Sequence, residues 1–195
     1  MTNEQTLQGE LTSAKKKSAK PMLWVSMISM VMFFAGLTSA YVISMKRDDW
    51  VSFDLPDAFF ISTVLIVASS ITLFLSQKFL KQDKRQLSLL LIVATLVLGI
   101  GFVWQQYIGF NQLKSVGLFF TGPESTVSTS FIIGITFMHV LHLLAGLIVL
   151  LVVIYNHFKY KYKSDDMLGF ELGAIFWHFV DILWIYLFFF FYFIK

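Results

Sequence analysis

The sequence predicts an all-α membrane protein of five transmembrane helices, with its amino terminus in the cytoplasm and its carboxy terminus on the opposite side. Three observations predict it. Apolar residues make up 57% of the 195 residues, where soluble domains hold roughly 45–50%. They gather into five runs, each long enough to cross a bilayer, which takes about 20 residues. Basic residues fall between the runs, and they fall unevenly.

The composition also excludes. With no Cys, disulfides, thiolate metal sites and thiol nucleophiles are ruled out. The net charge of +3 is modest, and the basic residues sit in loops between apolar runs, so they report topology rather than a nucleic-acid partner. The polar segments, of at most about 20 residues, are too short to bury a core of their own.

Residues 1–21 are read as a polar cytoplasmic tail, expected to be disordered, and residues 22–195 as one five-helix domain. A signal peptide would place its apolar core nearer the start and follow it with a small-residue cleavage site, so the first run, 22–45, is a retained helix. A charged loop, Lys46 to Trp50, follows. Pro56 and Asp57 restart the chain, since Pro is tolerated in a helix's first turn and an acid there suits the helix dipole. The second helix is placed at 57–80 and the third, after a tight basic loop, at 87–110. Residues 111–127, with Gly117, Gly122 and Pro123, form the longest loop between helices. The fourth helix spans 128–155. A second basic loop, 157–166, in which His157 is expected to be solvated, leads to the fifth at 170–194.

Five crossings put the termini on opposite sides. Eleven of the basic residues (Lys15, Lys16, Lys17, Lys20, Lys78, Lys81, Lys84, Arg85, Lys159, Lys161 and Lys163) share one side and four share the other. Positive residues favour the cytoplasm.

Within the last two runs lie the ionisable groups that need explaining. A charge at the centre of a spanning helix costs roughly 2.5–3.5 kcal/mol on insertion scales. Glu171, His178 and Asp181 share one face of helix five through steps of seven and three residues. His139 and His142 share a face of helix four. At about 1.5 Å per residue, His139 and Asp181 each lie about 16 Å from opposite membrane faces, so in a core of about 30 Å their levels nearly coincide. Helices joined by a short loop are normally neighbours. A hydrogen-bonded His–Asp or His–His cluster between these helices is therefore expected.

Three readings of that cluster stay open. Its members pair with one another and fix helix register; or His side chains from two helices ligate haem, as in a stand-alone b-type cytochrome; or the groups relay protons or ions. The polar residues of helices two and three, among them Ser62, Ser69, Ser70, Thr95 and Gln106, are few for a pump acting alone, and no broken helix or repeat pair marks a transporter. Trp177, Trp184 and Phe188, with the aromatic end of the chain, are candidates for a lipid-facing or lipid-cleft surface. No phosphate loop, nucleophile motif or metal-ligand spacing stands out.

Several of these stretches resemble one family. Gly169-Phe170-Glu171, then Trp177-His178-Phe179-Val180-Asp181 and Trp184, resemble the last helix of cytochrome c oxidase subunit III. Met138-His139-Val140-Leu141-His142 with Gly146 resembles its Phe-His-Gly-Leu-His-Val segment. Met32-Phe33-Phe34-Ala35-Gly36-Leu37 resembles its Met-Phe-Phe-Ala-Gly stretch, and the likeness covers about residues 22–194. The resemblance implies a subunit of a proton-pumping haem–copper oxidase in aerobic respiration, without a catalytic centre, haem or copper of its own. Haem and copper are then expected in partner subunits. It further implies packing on catalytic subunit I, lipid held in a cleft between helices, support of proton uptake, and the possibility of a respiratory supercomplex. The five-helix length resembles bacterial short forms, which implies the cytoplasmic (inner) membrane of a bacterium and a periplasmic carboxy terminus. A subunit of a quinol oxidase or a nitric oxide reductase is the neighbouring alternative. Two positions depart from the pattern: Met30 stands where the family usually has a carbodiimide-reactive Glu, and Val140 replaces the Gly between the two His residues. The role of that Glu is not carried over.

Overall fold

The computed structural model describes residues 2–48, 50, 55–115, 126–162 and 167–194, with side chains of the first helix described from Ser13 onward. It contains five α-helices: α1 (Thr2–Ser44), α2 (Asp57–Lys81), α3 (Arg85–Ser115), α4 (Val127–Phe158) and α5 (Leu168–Phe193). All five are long and apolar enough to cross a membrane.

Local chemistry sets the helix ends. Thr126 caps α4, its hydroxyl accepting from the Thr129 N–H at 3.3 Å, as a residue at that position does. The α2–α3 hairpin turns on Asp83, whose φ of 58° is left-handed. The Lys84 N–H then donates to the Phe79 carbonyl at 3.0 Å, closing the last turn of α2. Tyr160, with φ 56°, ends α4 in the same way, and the Lys161 N–H reaches the Asn156 carbonyl.

Three boundaries differ from the sequence expectation. Helix α1 runs on through the stretch expected to be a disordered tail, because Gln, Leu, Glu, Ala and Lys there all favour helix. Pro21 lies inside α1, where it can donate no hydrogen bond to the preceding turn. Helix α3 extends to Ser115, shortening the following loop, whose Gly117, Gly122 and Pro123 lie outside the described residues. Helix α4 extends to Phe158 and takes in His157, which is buried rather than solvated.

Helices α2, α3, α4 and α5 close a ring in which each packs on two others, while α1 lies outside it against α4 and α5. The α2–α3 seam is built on a seven-residue repeat of small and polar residues. Ser62, Ser69 and Ser76 of α2 and Ser88, Thr95 and Gly109 of α3 are all buried along it. Such spacing suits left-handed packing at a shallow angle, and small residues let backbones approach. The seam is hydrogen-bonded throughout. The Ser76 hydroxyl donates to the Ser88 carbonyl at 2.7 Å, Thr72 and Thr95 share a bond of 2.8 Å, and Gln106 Nε2 donates to Ser62 Oγ at 3.0 Å.

Candidate functional site

Trp177 organises the middle of the ring. It comes from α5 and is fully buried. Its indole N–H donates to Ser69 Oγ of α2 at 3.1 Å. A Cβ built on Gly99 of α3 would stand 2.7 Å from its Cη2, and one on Gly146 of α4 would stand 3.1 Å from its Cε3. One ring thus touches the other three helices of the ring. Two turns on, Trp184 is 1% exposed and donates to Thr63 Oγ1 of α2 at 3.0 Å. Phe188 is buried as well, edge-on to Phe60 at 5.0 Å. Trp177, Trp184 and Phe188, expected to be lipid-facing or to line a lipid cleft, are buried within the bundle: the glycines of α3 and α4 leave the volume that Trp177 fills, and hydroxyls of α2 accept from both indoles. The large apolar side chains that α5 exposes are Ile182, Tyr186, Phe189, Tyr192 and Phe193.

The ionisable groups expected to form one cluster are divided among three places. His139 is fully buried in a cage of rings, with centroids at 5.2 Å from Trp184, 5.9 Å from Phe102 and 6.5 Å from Phe34. Among the described residues, neither of its nitrogens has a hydrogen-bond partner. His142, one turn away, is half-buried; its Nδ1–H donates to the Met138 carbonyl of its own helix at 2.7 Å, and Phe34 of α1 lies edge-on to it at 5.6 Å.

His178 and Asp181 face α2 instead of α4. His178 Nδ1 and the Ser70 hydroxyl share a hydrogen bond of 2.6 Å. Asp181 is 1% exposed. Its oxygens form no hydrogen bond of ordinary geometry, and the hydroxyls of Ser70 and Ser69 are its polar neighbours. Both residues, with Ser70, border a recess of about 310 Å³ between α2 and α5 whose remaining walls are apolar. Glu171 goes elsewhere again, to an ion pair with Lys20 Nζ of α1 at 2.7 Å.

No His–Asp hydrogen bond therefore joins α4 to α5, although these helices are neighbours as expected. Sequence spacing places residues on a face of α5 but does not say which neighbour that face meets, and here it meets α2. The residues that sequence reasoning undervalued are the hydroxyls of α2 and α3. Their signal was the seven-residue step Ser62–Ser69–Ser76, which matches the later seam.

Helix α1 docks by a stripe of its own. Met27, Phe34 and Tyr41, seven apart, are buried. Thr38 shares a 3.1 Å hydrogen bond with Tyr186, and the Tyr41 hydroxyl donates to the Ile194 carbonyl at 3.2 Å. Between α1 and α5 lies an apolar cleft of about 330 Å³, lined by Val31, Phe34, Ala35, Phe179, Ile182 and Tyr186 among others.

These features define a class: a multi-pass membrane bundle whose buried polar groups are placed at helix contacts, with no three His, Asp or Glu side chains converging among the described residues. The family model for cytochrome c oxidase subunit III matches residues 1–195, and the chain belongs to that family. It is similar to the cytochrome c oxidase subunit 3 of Pyricularia grisea, 33% identical over 135 residues, which is 69% of this chain and 47% of that one. It is also similar to the subunit 3 of Pelomedusa subrufa, 25% identical over 96% of this chain and 74% of the relative. The Bos taurus subunit 3 is 26% identical over 94% and 72%. The chain thus spans less than half of the fungal relative and most of the two vertebrate ones.

Proposed function

We propose that this chain is the non-catalytic subunit III of a proton-pumping cytochrome c oxidase, where it stabilises the catalytic subunit, holds lipid and supports proton uptake in aerobic respiration. Family membership supports the oxidase complex as its setting. The observation that carries the non-catalytic role is the dispersal of the intramembrane His and carboxylate groups. His139 is caged by rings, His178 is tied to Ser70 and Glu171 to Lys20. Electron transfer and oxygen reduction then fall to haem and copper in partner subunits.

Lipid holding is supported by the α1–α5 cleft, an apolar slot between two helices with exposed apolar flanks. Packing on a catalytic partner is supported by α1, which leaves Met22, Val25, Ile28 and Met32 uncovered. The bias of basic residues supports a cytoplasmic amino terminus. Placement in a bacterial cytoplasmic membrane follows only from the resemblance to bacterial short forms; the relatives named above are eukaryotic.

Affinity purification of the tagged chain in mild detergent tests the reading. It predicts a stoichiometric partner subunit carrying haem and copper, and oxygen consumption with reduced cytochrome c. Recovery with no haem-bearing partner would refute it.

A further inference from the structure

A recess apart from the α1–α5 cleft opens at the basic side of the molecule, where α3 begins and α4 ends. It measures about 240 Å³ and is lined by Arg85, Gln86, Leu89, His157, Phe158 and Tyr160. His157 is 4% exposed. Its Nε2–H donates to the Arg85 carbonyl at 3.3 Å, while Nδ1 is buried without a partner among the described residues. The Arg85 guanidinium lies 4.5 Å over the Tyr160 ring and makes one long hydrogen bond, from Nη2 to the His157 carbonyl at 3.5 Å. A guanidinium carries five N–H donors in a fixed fork, so most of its capacity is unused.

We propose that this recess binds a phosphate-bearing anion. Arg85 supplies the fork, which matches phosphate geometry. Gln86 lies in the first turn of α3, where the helix dipole favours negative charge, although the Arg85 and Ser88 N–H groups there already donate to the Asp83 and Lys84 carbonyls. His157 offers a buried nitrogen that completes its hydrogen bonding when an anion and a proton arrive together. In sequence, Lys84, Lys159 and Lys161 flank the residues that line the recess, as does Asp83, while Asp165 and Asp166 lie outside the described residues. Leu89 and Phe158 continue the recess toward the apolar span, so the phosphate can belong to a lipid headgroup or arrive free from solution. Neither source depends on the oxidase reading, because the binding is a property of this chain.

The test uses the full chain in phosphatidylcholine nanodiscs with ¹⁵N-labelled histidine, His157 being assigned from His157→Gln. Phosphatidylglycerol is added in one arm and inorganic phosphate in the other, and retained lipid is counted by native mass spectrometry. If a headgroup is the ligand, phosphatidylglycerol shifts the His157 ring signals and is retained. Arg85→Gln then reduces retention about tenfold, as expected for losing charge-assisted hydrogen bonds, Arg85→Lys reduces it less, and the exposed Lys81→Gln leaves it unchanged. If free phosphate is the ligand, phosphate moves the ring and phosphatidylglycerol does not. The proposal is overturned if neither moves the wild-type ring, or if Lys81→Gln and Arg85→Gln weaken binding equally, which is the behaviour of a basic surface without a site.

Discussion

Gly99 and Asp181 show how differently two buried residues are tied to this fold. Gly99 holds the space for Trp177: a methyl there would meet Cη2 at 2.7 Å and Leu147 Cδ2 at 2.9 Å. The indole cannot step aside without losing its bond to Ser69. Gly99→Ala should therefore destabilise the chain by about 1–3 kcal/mol, the cost of overpacking. Gly36, with nothing within 4 Å of a built Cβ, should accept Ala without loss, since Ala is the better helix former. Thermal unfolding in detergent compares the two, and equal effects would contradict the central place given to Trp177. Among the described residues Asp181 has only the hydroxyls of Ser70 and Ser69 as polar neighbours, and no charged partner. Asp181→Asn should change stability by less than about 1 kcal/mol, whereas removing one member of a buried ion pair costs about 3–5 kcal/mol. A loss in that upper range would show a partner for Asp181 that the geometry does not contain.

At the scale of elements, packing outweighs hydrogen bonding between α2 and α5. Three side-chain bonds cross that contact, from Ser69, Ser70 and Thr63. Interhelical hydrogen bonds in membranes average about 0.6 kcal/mol and reach about 1.7. Ser70→Ala should thus cost less than Gly99→Ala, and the order of the two unfolding temperatures checks it. Helix α1 depends on fewer contacts, since it meets only α4 and α5. Breaking the Lys20–Glu171 pair with Glu171→Gln should leave the melting of the ring unchanged, because partly exposed ion pairs contribute about 0–1 kcal/mol. Proteolysis near Pro21 should quicken if that pair holds the amino-terminal part of α1. Unchanged cleavage would remove the pair from the account.

At the scale of the whole molecule, the five crossings were legible because runs of apolar residues have one stable use in a bilayer. Helix ends were less so: α1 and α4 extend past the apolar limit because Lys, Gln and Asn favour or tolerate helix beyond the membrane. The candidate site was legible as residues but not as a constellation. Spacing put His178 and Asp181 on one face, yet α5 packs against both α2 and α4, and only the rotation of α5 decides which neighbour that face meets. Two bulky indoles seated against Gly99, Ser69 and Thr63 set that rotation. The ring cage around His139 draws on α1, α3 and α5 together, a convergence of three distant segments that no local pattern announces.

The function proposed above requires that the imidazoles inside the spans serve packing and leave redox chemistry to partner subunits. Haem titration of the isolated chain in detergent, followed by its Soret absorbance and a pyridine haemochrome count, tests this most directly. Haem should stay well below one per chain, with no change on substituting His139→Gln or His178→Gln. One haem per chain, with a Soret band that either substitution abolishes, would contradict it.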